Sequence, residues 1–566
     1  MRLEERDKMT QLLSDYPRER IQEICEDIAG SRKITAACSF GPRACGYADA
    51  KSPLHVLLLL TGCKEGLRYH TKSLEDLHLL ALTVDRRIFE RDVKSGWLGE
   101  FTAEKVTLPY EPLMNKEYLW RQEIKVKRRI VWELLDNLVL GSPELSQELL
   151  IKAEYFMHET LRRRAKLFPP ITHSILNMFR EDLKTRNTDI IMKGYLAAID
   201  QLAEEKWIDL TDGYIKVTQT LINAFRRQKI RIPIILKSIQ KRMLLHILNI
   251  FPKITNLLAQ NQKANKESYL RVEAEKLAFR LEDPEEYLLM PTPNGLIPLS
   301  DRTTIETFAE KIISDKNVSN IEVKEAGGVL NTVFLLTLWE NGKEQKIMVK
   351  KFEDWFGFKW FPLALWTLGT KTLTVLGRSR QEKEYAINQF LRGRGFAVPE
   401  ILHVSYKERL IFERFIEGES LVEIIKQIIS SKGKLQEIAV VRETGSKVAE
   451  AHRLGVSLGD CKPENFIVTQ DGKIFFVDLE QASRDGNYAW DVAEFLYYSG
   501  HYVSPIALVD PAEQIATEFI KGYLEAGGKK RTVKRAGSPR YTKVFSVFTP
   551  PQVILAISNV CKRMGG

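Results

Sequence analysis

Leu458-Gly459-Asp460-Cys461-Lys462-Pro463-Glu464-Asn465, followed by Phe475-Phe476-Val477-Asp478-Leu479-Glu480, decides how this chain is read. An aspartate, a lysine two residues on and an asparagine five residues on sit between apolar runs. A second aspartate closes a short hydrophobic run with the pattern of a strand. Transfer of a phosphoryl group calls for this set: a carboxylate to position the acceptor hydroxyl, a cation beside the moving group, and an amide with a carboxylate to hold magnesium. Taken singly, each residue also fits a turn or a strand end; order and spacing carry the chemistry.

Asp-x-Lys-Pro-x-Asn resembles the catalytic loop of the protein-kinase-like superfamily, and Val477-Asp478-Leu479-Glu480 resembles its magnesium motif. The resemblance extends upstream. Ala326-Gly327-Gly328-Val329-Leu330-Asn331 carries paired glycines, whose lack of a Cβ lets backbone amides approach phosphates. Ile347-Met348-Val349-Lys350 resembles the lysine strand of kinases, which implies that Lys350 contacts the α- and β-phosphates of ATP. Its expected partner is Glu384 on the following helix, ahead of Glu382 on a different face. Leu410-Ile411-Phe412-Glu413-Arg414-Phe415-Ile416-Glu417-Gly418 resembles the strand and hinge between two lobes, where the main chain of Glu413 and Phe415 would meet the adenine edge. In the loop, the resemblance implies Asp460 as base or hydroxyl-positioning group and Lys462 at the γ-phosphate, with Asn465 and Asp478 on Mg2+. Asp491 in Trp490-Asp491-Val492-Ala493-Glu494 is similar to the aspartate that braces the catalytic loop.

Two departures narrow the subclass. Leu458 stands where a histidine is usual and Gly459 where an arginine is usual, a pattern that resembles atypical kinases: the KEOPS-complex kinase, the RIO kinases and the aminoglycoside or choline kinases. Loss of the histidine is expected to loosen the bracing of Asp478. Twelve residues separate Asp478 from Asp491, too few for a long phosphorylatable activation segment. Arg378-Ser379-Arg380 through Glu384, and Val398-Pro399-Glu400-Ile401-Leu402, resemble the KEOPS type most. That family phosphorylates Ser/Thr or acts as an ATPase beside a tRNA-modifying partner, and its basic tail has a counterpart in Lys529-Lys530-Arg531-Thr532-Val533-Lys534-Arg535. The expectation is an ATP- and Mg2+-dependent atypical Ser/Thr protein kinase, with a protein substrate or partner and with tRNA or another nucleic acid in view. A small-molecule kinase, and a nucleic-acid-binding regulator using the kinase fold as an ATP sensor, stay open. The aromatic connector 355–366, with three Trp and three Phe, reads as packing under the N-lobe or as a surface patch for a partner or a membrane interface, and is expected to control whether Glu384 reaches Lys350.

The N-terminal half reads differently. Gly41-Pro42-Arg43 through Ser52-Pro53-Leu54-His55, running into Leu57-Leu58-Leu59-Leu60, resembles the signature of the nucleotidyltransferase fold. In that fold paired carboxylates hold magnesium. Pro53 and His55 occupy those two positions here, leaving Asp85 as a lone third carboxylate, so this domain is expected to be inactive and kept for binding or scaffolding. Further on, Asp212-Gly213 between two short alternating runs signals a hairpin. Helices followed by that hairpin resemble a winged helix, a module that binds either nucleic acid or protein. Arg226, Arg227, Lys229 and Arg231 add a basic cluster.

At 566 residues several cores are required. The expected fold is multidomain α+β: 1–114 a nucleotidyltransferase-like α/β domain, 115–170 helical, 171–232 winged-helix-like, 233–300 a helical connector, and 301–566 a two-lobed protein-kinase-like fold. Hydrophobic residues make up 44% and charged residues 28%, with net charge +10 and pI near 9.0. Six cysteines without a CxxC pair point to reduced thiols instead of disulfides or a zinc site. A charged N-terminus without a signal-peptide core, and no apolar run of spanning length, lead to the expectation of a cytoplasmic protein without transmembrane segment. The oligomeric state is not readable from the sequence.

Overall fold

The computed structural model describes residues 18–49, 52–63, 66–74, 77–167, 171–227, 281–315, 318–326, 332–340, 343–354, 374–430, 435–484, 486–504 and 509–566. Outside these lie Gly327 and Gly328, the aromatic connector 355–366, Lys229 and Arg231, and the connector from 228 to 280. The chain is multidomain α+β, with several sheets and many helices. It divides into two compact units, Met1–Gly141 with Leu150–Leu288, and Ser142–Leu149 with Leu289–Gly566. Among the described residues no helix is long and apolar enough to cross a membrane. All six cysteines are free and buried, and burial pushes the Cys25, Cys45 and Cys561 thiols up to about 12.

The first unit is built on a mixed sheet. Helix α1 (Arg18–Ala29) precedes β1 (Lys33–Phe40), β2 (Leu54–Thr61), β3 (Leu67–Leu74), β4 (Leu77–Asp85) and β5 (Tyr110–Met114), in the order β3-β4-β2-β1-β5. The Leu57–Leu60 run is covered on both faces because β2 sits centrally, parallel to β4 and antiparallel to β1. Ile21, Cys25 and Ile28 of α1 pack on Leu54, Val56, Leu58 and Leu60. Pro53 stands just ahead of β2, and His55 lies on it. Asp85 ends β4 and caps the helix Arg86–Ser95: its Oδ1 accepts Arg87 N–H at 2.9 Å and its Oδ2 accepts Cys63 N–H at 3.0 Å. Helices α2 (Lys116–Gly141) and α3 (Glu181–Glu204) also belong to this unit. The strands Ile208–Thr211 and Tyr214–Val217 close a hairpin in which Asp212 and Gly213 both have positive φ, 50° and 80°, as a two-residue primed turn requires.

In the second unit, a hairpin pairs Leu289–Thr292 with Gly295–Pro298. These residues were expected in the helical connector 233–300, and this is a correction. Pro291, Pro293 and Pro298 cannot donate within a helix, and Asn294-Gly295 forms the bend. Next comes an antiparallel five-stranded sheet of β6 (Val318–Glu325), β7 (Thr332–Glu340), β8 (Lys343–Lys351), β9 (Ile401–Ser405) and β10 (Leu410–Arg414), in the order β6-β7-β8-β10-β9. Helix α4 (Gly377–Arg392) lies between β8 and β9 in sequence. Its first residue must be glycine: a Cβ on Gly377 would sit 2.3 Å from the Phe352 carbonyl oxygen. The remaining chain is mostly helical around one large core, and includes α5 (Leu435–Arg453), α6 (Tyr488–His501), α7 (Asp510–Glu525), α8 (Lys530–Ala536), α9 (Pro539–Phe545) and α10 (Pro551–Gly565).

Candidate active site

Lys350 lies on β8 with its side chain in the interior of the second unit. Its Nζ is 2.7 Å from Glu384 Oε1 and 3.3 Å from Glu413 Oε2. Glu384 therefore takes the partner role over Glu382, whose Oε1 instead accepts hydrogen bonds from Tyr406 Oη at 2.6 Å and Ser142 Oγ at 2.9 Å. Burial opposes the ammonium charge of Lys350, but Glu384, Glu413 and Asp478 outweigh it and hold its pKa above the usual lysine value. Burial likewise pushes the Glu384 carboxyl up, against the pull of Lys350.

The hinge expectation needs a correction. Glu413 was expected to act through its main chain, but β10 is an interior strand, paired with Met348 on one side and Ile401 on the other. Its carboxylate is what enters the site. The Phe415 N–H is already donated to the Lys346 carbonyl at 3.1 Å, so it is not a free donor for a purine edge.

The loop after α5 carries the remaining groups. Lys462 Nζ is 2.9 Å from Asp460 Oδ2, and burial of Lys462 is outweighed by Asp460, which raises its pKa. Asn465 Nδ2 donates to the Asp460 carbonyl at 2.8 Å, leaving Oδ1 as the atom a cation would meet. Val477 N–H donates to the Asn465 carbonyl at 3.0 Å, tying the two loops together. Asp478 is held at φ 63°, a region that L side chains rarely adopt. Burial raises its pKa while Lys350 pulls it down, and Asp460 and Lys462 are near enough to act on it as well. Lys350, Glu384, Asp460, Lys462, Asn465 and Asp478 thus converge on one site.

Asp478 Oδ1 is buried without a hydrogen-bond partner. A buried ionised oxygen without a partner is costly, and a bound cation removes that cost. Among the described residues no three His, Cys, Asp or Glu side chains form a ready metal cage. Magnesium takes one or two protein oxygens and completes its shell with water and substrate phosphates. Asn465 and Asp478 fit this donor set.

Asp491, expected from the sequence to brace the catalytic loop, is completely buried and accepts Leu458 N–H and Gly459 N–H at 2.7 Å each. Several further contributors were not read from the sequence. Glu494 accepts Cys461 N–H at 2.7 Å and Trp490 Nε1–H at 2.8 Å. His452 of α5 joins Asp491 to the Tyr523 hydroxyl. Arg380 on α4 donates through Nη1 to both oxygens of Glu480, each at 3.1 Å. Ser142–Leu149 adds Glu144 and Glu148, both paired with Arg484. The helix-face rule, which already set Glu384 apart from Glu382, also puts Arg380 on the face of Glu384; most of the other contacts join residues far apart in sequence.

Residues 348–496 match the lipopolysaccharide kinase (Kdo/WaaP) family. The KEOPS complex subunit Bud32 of Pyrococcus abyssi is 29% identical over 106 residues, 19% of this chain and 42% of that protein. The probable serine/threonine-protein kinase BUD32 homolog of Archaeoglobus fulgidus is 29% identical over 158 residues, 28% of this chain and 72% of that protein. The chain thus spans less than half the length of the first relative. Among solved structures, the Rv3197–erythromycin complex from Mycobacterium tuberculosis aligns at 13% identity over 62% of this chain and 95% of its own, with a TM-score of 0.22.

Proposed function

Because the second unit is an atypical kinase domain of the protein-kinase-like superfamily, we propose that it transfers the γ-phosphoryl group of ATP, with Mg2+, to a serine or threonine hydroxyl of a protein. The observation that carries this reading is the buried convergence of the Lys350–Glu384 pair with Asp478, beside Asp460 and Lys462. Lys350 would orient the α- and β-phosphates, with Gly327 and Gly328 as the phosphate loop. Asp460 would position the acceptor hydroxyl and take its proton, and Lys462 would offset charge on the moving phosphoryl group. Asn465 and Asp478 would hold magnesium, which when bound neutralises phosphate charge. With the Phe415 N–H engaged, adenine recognition falls to the main chain beyond it.

The first unit is proposed as a nucleotidyltransferase-like domain without catalysis, followed by a winged-helix-like module, together recruiting a protein or nucleic acid. His55 and Pro53 in place of carboxylates, and Asp85 committed to a helix cap, support the loss of activity. A nucleic-acid partner such as tRNA is supported by residues 526–566, which contain nine Lys or Arg and no Asp or Glu. All nine are exposed on or beside α8, α9 and α10.

A second reading, a small-molecule hydroxyl as acceptor, is favoured by the short path after Asp478. By Ser483–Arg484 the chain already pairs with Val456–Ser457, and α6 starts at Tyr488, which leaves only a short segment where a long activation segment would dock a peptide. The test is radiolabelled γ-phosphate transfer by the purified chain with magnesium, comparing wild type with Asp478→Ala. Protein, tRNA and hydroxylated small molecules are added in separate arms. Label on protein that vanishes in the variant supports the first reading. Label on the small molecule alone moves the acceptor to the second. ATP binding without transfer or hydrolysis in any arm overturns both and leaves an ATP sensor.

A further inference from the structure

We propose that Arg380 is a positioning residue for Asp478, acting from helix α4 through Glu480; the inference rests on the kinase reading above. Arg380 is completely buried, and its Nη1 lies 3.1 Å from each oxygen of Glu480, the second residue after Asp478. Its Nη2 donates to the Glu353 carbonyl, three residues after Lys350. One guanidinium therefore joins the end of the lysine strand to the loop that carries Asp478.

Arg380 and Glu384 are four residues apart, on the same face of one helix. Glu384 takes Lys350 while Arg380 takes the loop, so any displacement of α4 moves both grips together. Leu458, which occupies the place of the usual histidine, is buried in the apolar core and offers no polar group to that loop. The loop is instead fixed from α4 by Arg380–Glu480. It is fixed further by Gln481, whose amide accepts Thr374 N–H at 2.9 Å and donates to Thr374 O at 3.1 Å. The expected loosening of Asp478 is thus offset by bracing from the opposite side.

A fully buried ion pair is no more stabilising than an apolar pair of the same volume. What the charged pair supplies is direction: a bifurcated donor fixes Glu480, and with it the backbone that holds Asp478 in its left-handed conformation. Groups behind a metal-binding carboxylate typically change metal affinity about 10- to 100-fold when removed.

The experiment measures ADP binding to the full chain by calorimetry, with and without Mg2+, beside a thermal melt. The double variant Arg380→Met/Glu480→Leu removes both charges at similar volume. It is expected to melt near wild type and to bind ADP normally without metal. The Mg2+-dependent gain in ADP affinity should fall about 10- to 100-fold. Glu480→Gln, which keeps the length and one acceptor oxygen, should show a smaller fall in the same gain. A folded double variant with the full Mg2+-dependent gain would make the pair structural only and overturn the proposal. If the double variant does not fold, an unchanged gain in Glu480→Gln overturns it instead. Wild type without any Mg2+-dependent gain would overturn the kinase reading itself, and this proposal with it.

Discussion

His452 Nε2 lies 2.9 Å from Asp491 Oδ2, and that same oxygen accepts the Leu458 N–H at 2.7 Å while Oδ1 accepts the Gly459 N–H at 2.7 Å. A single buried carboxylate thereby sets the backbone from which Asp460 projects. Asp491→Asn keeps the shape but leaves one acceptor oxygen for three donors. Stability of the second unit should fall by about 2–3 kcal/mol. Phosphoryl transfer should fall with it, while ATP affinity stays near wild type because Lys350 is untouched. Urea denaturation and nucleotide titration check this; equal losses of ATP affinity and turnover would contradict it.

Asp478 combines an unpartnered buried oxygen with a φ of 63°. Asp478→Gly removes both the Cβ penalty and the buried charge, whereas Asp478→Ala keeps the penalty. The glycine variant should melt above the alanine variant, by about 1–2 kcal/mol of stability. Neither should transfer phosphate. A glycine variant less stable than alanine would show that the conformation is unstrained.

Helices α5 and α7 touch through reciprocal glycines. A Cβ on Gly445 would sit 2.0 Å from the Phe519 carbonyl oxygen, and one on Gly522 would sit 1.8 Å from that of Arg442. Backbone cannot move aside as a side chain tip can, so each Gly→Ala change should destabilise the second unit by about 1–3 kcal/mol or more. Once the first substitution has spread the helices, the second should cost less, and the double variant should be less than additive. Chemical denaturation of the three variants tests this.

His55 gives the first unit a pH dependence. Burial, with a contribution from the charge of Lys105, pushes its pKa down to about 4. The unfolded chain binds the proton near pH 6.5. With the folded value depressed, the stability contributed by neutral His55 is present above the unfolded pKa and is lost as pH falls through the folded one. Between about pH 7 and 5, wild type should lose on the order of 2 kcal/mol more than His55→Phe. Parallel denaturation at the two pH values, following the first unit, reads the difference. Equal losses would mean that the imidazole is protonated in the fold.

The sequence made the loop from Asp460 to Asn465 readable because its chemistry is packed into six consecutive positions. Glu384 was readable from helix geometry, since it stands on a different face from Glu382. Glu413 was not, because only the pairing of β8 with β10, more than sixty residues apart, turns its carboxylate toward Lys350. The same pairing uses the Phe415 N–H. Arg380 and Glu480 are a hundred residues apart, and each looks like an ordinary charged residue alone. In the first unit the Asp212-Gly213 hairpin was legible from two residues, whereas the capping use of Asp85 depends on where Cys63 comes to lie.

Ser142–Leu149 packs with the second unit although the chain on both sides of it belongs to the first. Its Glu144 and Glu148 hold Arg484, and its Ser142 reaches the helix that bears Glu384. No single cut separates two complete halves of this polypeptide. A recombination event that moved the region from 289 onward into another gene would leave behind the piece that neutralises Arg484. A kinase region transferred in that way would need another cover for that arginine, or a different residue in its place.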